Sequence, residues 1–213
     1  MSIRAVVFDY GNVLNPPPEE ACFDALQRIA GITGQAFFGP YWQLRGDYDR
    51  GSLDGPAYWQ AVAATAGKRL LPAQVKELMA RDAELWMGIR PVLLAWIKAL
   101  RRQGLRTAVL SNMPREISAH LRRTAEWQAH FDALVFSGEA GMVKPQAEIY
   151  RLCLRALGVQ PQEALFIDDR EENVEGARAV GMHGVRFHSV EQLVSDVQPF
   201  SLGMSLREAV ITG

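Results

Sequence analysis

Short runs rich in Val, Leu, Phe and Ile recur along the chain, at Ile3 to Phe8, Arg106 to Leu110, Ala133 to Phe136, Ala164 to Ile167 and Gly184 to Phe187. Continuous apolar runs of this length suit strands buried on both faces, and such strands belong to parallel sheets covered by helices. Helical patterns fill most of the intervals. Pro91 to Gln103 carries Val92, Leu93, Trp96, Ile97 and Leu100 at helical spacing, with Gly104 as its stop. Residues Glu116 to His130, Ala147 to Leu157 and Glu172 to Val180 repeat the pattern. Strand and helix in alternation predict an α/β fold with a doubly wound, Rossmann-like parallel sheet.

The rhythm breaks between the first and second runs. From Asn15 to about Gly88 the pattern is helical with no convincing strand, opened by Pro16-Pro17-Pro18. An interval of this length exceeds an ordinary crossover. It predicts a helical cap domain over 16-88, inserted into a core formed by 1-15 and 89-213. Phe23, Leu26, Tyr58, Trp59 and Leu78 read as the core of that helical bundle.

With 22% charged residues and a formal net charge of -1, the chain gives no electrostatic reason to expect nucleic acid or an anionic membrane as a partner. Cys22 and Cys153 lack zinc-like spacing and read as reduced, mostly buried small residues. The first apolar run is short and meets Asp9 at once, unlike a signal peptide or a membrane span. A cytoplasmic monomer or homodimer is expected.

Polar groups recur behind the strand-like runs: Asp9, Ser111-Asn112, Lys144-Pro145 and Asp168-Asp169. Singly, most have ordinary explanations as turn residues, helix caps or a solvated lysine before a helix-starting proline. Asp168-Asp169 is harder to place, because burial disfavours two adjacent carboxylates unless a cation or donors compensate. Together the clusters supply what magnesium-dependent phosphoryl transfer needs: an oxygen nucleophile, hard-oxygen metal ligands, and donors or cations around a phosphate. Asp9 is the candidate nucleophile. Asp9, Asp169 and a backbone carbonyl are candidate Mg2+ ligands. Ser111, the amides around Asn112, and Lys144 are candidate phosphate binders.

In order and spacing, Phe8-Asp9-Tyr10-Gly11-Asn12-Val13-Leu14, Leu110-Ser111-Asn112, Gly141-Met142-Val143-Lys144-Pro145 and the segment from Phe166 to Asn173 resemble the motifs of haloacid dehalogenase (HAD) superfamily hydrolases with a helical C1-type cap, subfamily IA. Within that superfamily the chain is similar to the small sugar-phosphate phosphatases related to glucose-1-phosphate phosphatase and to the phosphatase domain of soluble epoxide hydrolases. The resemblance implies a HAD-like core, Mg2+ as cofactor, an aspartyl-phosphate on Asp9 and a small phosphorylated metabolite as partner. It makes Gly11, through its carbonyl, and Asp169 metal ligands beside Asp9, and Ser111 and Lys144 the phosphate binders. Asp168 then orders a metal-bound water or the lysine. Asn173 orients Lys144 or a metal water, or else caps the adjoining helix.

One departure from the superfamily matters. Most of its phosphatases carry a second aspartate two residues after the nucleophile, which protonates the leaving oxygen, and Gly11 stands there instead, as a Gly-Asn or Gly-Gly pair does in some sugar-phosphate relatives. General acid–base assistance is worth about 10² to 10⁴ in rate, so its loss predicts weakened activity and a preference for leaving groups that need little protonation. In the expected cap, Arg45, Asp47, Tyr48, Asp49 and Arg50 resemble the segment that faces the site in relatives. Arg45 and Tyr48 are candidate substrate contacts, and Asp47 or Asp49 a candidate replacement acid, against the alternative of a solvated helix face. Two other functions stay open: a metal-free 2-haloacid dehalogenase in which Asp9 attacks carbon, opposed by Gly11 and Asp168-Asp169, and a non-catalytic binding protein, favoured only by Gly11.

Overall fold

The computed structural model describes residues 2–212. Strands β1 (Ala5–Phe8), β2 (Arg106–Ser111), β3 (Ala133–Phe136), β4 (Ala164–Asp168) and β5 (His183–Arg186) form one parallel sheet in the order β3-β2-β1-β4-β5. They fall on the expected runs, except that β1 begins at Ala5 rather than Ile3, β2 and β4 each run one residue further, to Ser111 and Asp168, and β5 is shifted by one residue toward the N-terminus. Helices α1 (Asp24–Ala30), α2 (Gln35–Gln43), α3 (Arg45–Arg50), α4 (Gly55–Ala64), α5 (Pro72–Leu85) and α6 (Pro91–Arg102) separate β1 from β2. Helix α7 (Arg115–Thr124) follows β2, α8 (Ser137–Ala140) and α9 (Ala147–Leu157) follow β3, and α10 (Glu171–Ala179) joins β4 to β5. Helices α11 (Val190–Asp196) and α12 (Gly203–Thr212) close the chain.

Alternate strand residues feed two cores, as the two-residue period of a strand requires. Val6, Phe8, Val109, Leu165 and Ile167 pack with Leu93, Trp96 and Leu100 of α6 and with Leu206 of α12. Ala5, Val7, Ala108, Leu110 and Phe166 pack with Ile149, Tyr150 and Cys153 of α9. The C-terminal segment rests on the first core, where Trp96 Nε1 donates to Ser205 Oγ at 3.0 Å. Cys153 is buried as expected, but Cys22 is exposed, because it sits in the irregular turn before α1. Among the described residues no helix is long and apolar enough to cross a membrane.

The single helix expected over 116–130 is broken. Helix α7 ends at Thr124, Ala125 is extended, and Glu126–His130 forms a 3-10 turn. That turn brings Trp127 against Tyr10, their rings stacked at 5.3 Å, so burial of an aromatic pair prevails over helical propensity.

Helices α1 to α5 have a core of their own, built on Phe37, Tyr41, Tyr48, Tyr58, Trp59 and Leu78. The C-terminal end of this insert is tied to the turn after β1. Tyr10 Oη donates to the carbonyls of Trp86 at 2.5 Å and Gly88 at 2.9 Å, Asn15 Nδ2 donates to Gly88 at 2.9 Å, and the Arg90 amide donates to Leu14 at 2.7 Å.

Strand order decides where chemistry can gather. The chain steps outward from β1 through β2 to β3, then returns to place β4 on the other side of β1. The crevice at the C-terminal ends of β1 and β4 is therefore the topological switch point, where open α/β sheets bind ligands. Phe8 pairs with Ile167, so the next residues, Asp9 and Asp168, meet across that crevice.

Candidate active site

At the crevice a buried ammonium bridges two carboxylates. Lys144 Nζ lies 2.8 Å from Asp9 Oδ1 and 2.6 Å from Asp168 Oδ2, with side-chain exposures of 1%, 10% and 0% in that order. Asn112 fixes the lysine's backbone reciprocally: its Oδ1 accepts from the Lys144 amide at 2.9 Å and its Nδ2 donates to the Lys144 carbonyl at 3.1 Å. Asp168 is saturated, accepting also from Asn173 Nδ2 at 3.0 and 3.1 Å and from the Arg170 amide at 2.9 Å. Asn173 can stand this close because Gly176 lets α10 lie against Pro145; a Cβ there would come within 2.8 Å of Pro145 Cβ.

Burial lifts the Asp9 carboxyl above its ordinary value, with Lys144 opposing and Asp168 adding to the rise. Burial also pulls Lys144 down, but Asp168 and Asp9 together outweigh it and hold the ammonium above its usual range. Asp9, Asp168 and Asp169 present oxygens within 4.8 Å of one another. Three carboxylates around one buried ammonium leave negative charge uncompensated in a place where charge is costly. A divalent cation with hard-oxygen preference fits that donor set. Asp169 is half-buried and is held by Asn12 Nδ2 at 2.9 Å. Asn12 is in the left-handed conformation, φ 62°, which asparagine tolerates better than most residues.

Above this floor lies a cavity of about 400 Å³ whose lining includes Asp9, Gly11, Ser111, Lys144 and Asp169 below and Trp42, Arg45, Asp49 and Arg50 from the insert. Ser111, at the end of β2, is buried and lines it, with no hydrogen bond to its hydroxyl among the described residues. The expectation for Asn112 needs correcting in part. It lines the cavity, but its side chain is taken up by Lys144, the Met113 amide is taken up by Ser137 Oγ at 2.8 Å, and the following helix begins only at Arg115. The Asn112 backbone amide is what remains for an anion there.

Tyr48 departs from expectation more sharply. It is 1% exposed, stacks on Tyr58 at 4.3 Å and does not line the cavity. The phase of α3 turns its ring into the insert's own core. Arg45 does line the cavity, but its guanidinium is already engaged by Asp49 at 2.9 Å, the buried Asp82 at 3.3 Å and Tyr41 Oη at 3.1 Å. Asp168 touches the lysine directly, whereas the Asn173 side chain reaches Asp168 and forms no hydrogen bond to Lys144 among the described residues. Sequence reasoning missed Asn12, Trp42, Trp86 and Asp82. Only Asn12 had a readable signal, as an asparagine following glycine in a turn.

Residues 3–181 match the family described as haloacid dehalogenase-like hydrolase. Among curated relatives, a phosphorylated carbohydrates phosphatase of Thermotoga maritima is 24% identical over 97% of this chain and 91% of its own length. Acyl-CoA dehydrogenase family member 10 of Mus musculus is 27% identical over 98% of this chain, which spans 20% of that protein. The chain covers well under half the length of several other relatives too. Among solved structures, a HAD family enzyme of Bacteroides thetaiotaomicron in complex with magnesium and inorganic phosphate superposes with a TM-score of 0.70 at 22% identity, covering 88% of this chain and 95% of that one. An L-2-haloacid dehalogenase of Xanthobacter autotrophicus reaches 0.67 at 22% identity, covering 98% and 88%. Both structures share the fold, a parallel sheet flanked by helices. With most of its length matched and that sheet carrying the site, the chain belongs to the haloacid dehalogenase-like hydrolases.

Proposed function

We propose that this hydrolase is a phosphatase for small phosphate monoesters, working through an aspartyl-phosphate on Asp9. The observation that carries the reading is the Lys144 ammonium held between Asp9 and Asp168 with Asp169 at hand. Carbon–halogen displacement needs no such excess of carboxylate, whereas phosphoryl transfer with a metal does. Mg2+, when bound by Asp9, Asp169 and the carbonyl of Gly11, would neutralise charge between the carboxylates and the substrate phosphate.

The chain's own residues account for the rest of the site. The described hydrogen bonds to the Asp9 carboxylate, from Lys144 and from the Tyr10 amide at 2.7 Å, both fall on Oδ1, which leaves Oδ2 free to attack phosphorus. Ser111 Oγ, the Asn112 amide and Lys144 surround the phosphate oxygens. The insert caps the site, and a cavity of about 400 Å³ suits a small organic group beyond the phosphate. A sugar phosphate fits that space, and the Thermotoga relative's name supports the class.

Hydrolysis of p-nitrophenyl phosphate should require Mg2+ and cease with chelator, and Asp9→Asn should lower turnover by about 10³-fold or more. Activity that survives either treatment removes the mechanism. Chloride release from a 2-haloacid without metal would put the dehalogenase reading in its place.

A further inference from the structure

We propose that Asp49, brought over the site by α3, gives the proton to the leaving oxygen and takes one from the attacking water. The inference rests on the phosphatase reading. Hydrolysis by way of a phosphorylated carboxylate is speeded by a group that can do both tasks, and Gly11 offers no side chain beside the nucleophile. The carboxyl groups lining the cavity are Asp9, Asp169 and Asp49. Asp9 is the nucleophile and Asp169 sits in the carboxylate cluster. Lys144 is held as an ammonium by its two carboxylates, and the Tyr10 hydroxyl is turned away to the carbonyls of Trp86 and Gly88. Asp49 alone remains.

Its position is fixed from two sides. Ser137 Oγ donates to the Asp49 carbonyl at 2.5 Å, fastening α3 to the end of β3. The next turn is pressed close as well, since a Cβ on Gly51 would lie 3.3 Å from the Gly138 carbonyl. On the other side Arg45 Nε holds Oδ1 at 2.9 Å, and Arg45 is itself anchored by Asp82 and Tyr41. Among the described residues Oδ2 has no hydrogen bond, nor is it among the buried atoms lacking a partner; it is open to solvent in the cavity.

Charged groups act on Asp49 from several elements, Arg45 on its own helix, Asp82 on α5 and Lys144 from the floor, and Arg50, Asp9 and Asp169 share the cavity lining with it. Burial pushes its carboxyl up to about 6, with Arg45 opposing and Asp82 adding to the rise. Acid and base forms are then both accessible near neutral pH, as a group that first gives and then takes a proton requires.

The proton balance closes. As an Asp9 oxygen bonds to phosphorus, the bond from phosphorus to the leaving oxygen breaks, and that oxygen keeps the pair, accepts the Asp49 proton and departs as an alcohol. Ionised Asp49 then takes a proton from water while the water oxygen bonds to phosphorus. The electron pair of the Asp9–phosphorus linkage returns to Asp9, releasing inorganic phosphate and restoring protonated Asp49.

The test is kcat/KM for a series of phosphate monoesters graded by leaving-group pKa, on wild type, Asp49→Asn and Asp49→Glu. Wild type should depend weakly on leaving-group pKa near about pH 5 and more steeply near about pH 8. Asp49→Asn should lose about 10² to 10⁴ with alkyl phosphates and less than about tenfold with p-nitrophenyl phosphate, with Asp49→Glu recovering part of the loss. An equal loss across the series, or no loss, overturns the proposal. Should Asp49→Asn fail to fold, the wild-type series decides, because a slope that is the same at both pH values also overturns it. If Asp9→Asn still abolishes metal-dependent turnover, the phosphatase reading survives that failure.

Discussion

The floor and the roof of the cavity hold their charges in different ways. On the floor, Lys144 is shared by Asp9 and Asp168, whose other partners are the backbone amides of Tyr10 and Arg170 and the side-chain amide of Asn173 on α10, while Asn112 holds the lysine's own backbone. In the roof, Arg45 is shared by Asp49 and Asp82, but the surroundings are rings: Tyr41, Tyr48 and Trp86 lie within 5.7, 5.6 and 5.4 Å of the guanidinium. A floor braced by hydrogen bonds fixes the reacting groups. A roof packed with aromatics fixes one carboxylate and leaves its other oxygen free. The difference teaches that one cavity can hold its charges by two means, a hydrogen-bonded network at the strand ends and ion pairs set among aromatic rings.

The strongest way to break the comparison is Lys144→Met. Removing one partner of a buried pair typically costs about 3–5 kcal/mol, and here two carboxylates lose their shared cation. Turnover should fall by about 10³-fold or more in the same variant. The Lys144 pKa is raised, so its stabilisation is complete below the ordinary lysine value of 10.5 and is lost only as pH rises past its folded value. Urea denaturation at neutral pH therefore reads the whole effect. A variant that keeps wild-type stability and turnover would mean that the floor does not depend on this ammonium.

The floor was largely legible in the sequence and the roof was not. Asp9, Ser111, Asp168 and Asp169 stand at or just past strand ends, where a run of apolar residues fixes the place of the first polar one. Parallel pairing of β1 with β2 and β4 then puts those ends on one edge of the sheet. The braces were harder to read, because Asn112 meets Lys144 across 32 residues of sequence. In the roof, α3 has six residues, too few to display a helical period. Nothing local says that Asp49 faces the cavity while Asp47 is exposed and Tyr48 is buried. Asp82, which anchors Arg45, lies 37 residues away with no pattern linking the two.

A sharper comparison comes from pH. The Asp49 carboxyl is raised from 3.8 to about 6, so the folded state holds this proton more tightly than the unfolded chain. Stability from this group is then present at low pH and lost as pH rises toward about 6. The shift corresponds to something on the order of 2–3 kcal/mol. Asp49→Asn lacks this dependence. The stability of wild type minus that of the variant, measured by urea denaturation in chelator, should therefore shrink by that amount between about pH 4 and about pH 7.5. A difference that grows over this interval would mean that Arg45 dominates and that Asp49 is an ordinary ion-paired carboxylate.

The smallest effect belongs to Tyr48, and it tests whether the roof has been divided correctly between cavity and core. Its ring stacks on Tyr58 at 4.3 Å and lies under Arg45, and no hydrogen bond to its hydroxyl is formed among the described residues. Tyr48→Phe keeps the ring and its packing, so kcat and KM should stay within about twofold and stability within about 1 kcal/mol. Tyr48→Ala empties the space between Tyr58 and Arg45 and should cost about 3–5 kcal/mol, as large aromatic truncations do. A rise in KM with Tyr48→Phe at unchanged stability would return the hydroxyl to the substrate's side and make the roof a binding surface on both faces of α3. Unchanged kinetics with Phe beside a large stability loss with Ala would leave Arg45 and Asp49 as the charged groups that α3 turns both toward the cavity and toward each other.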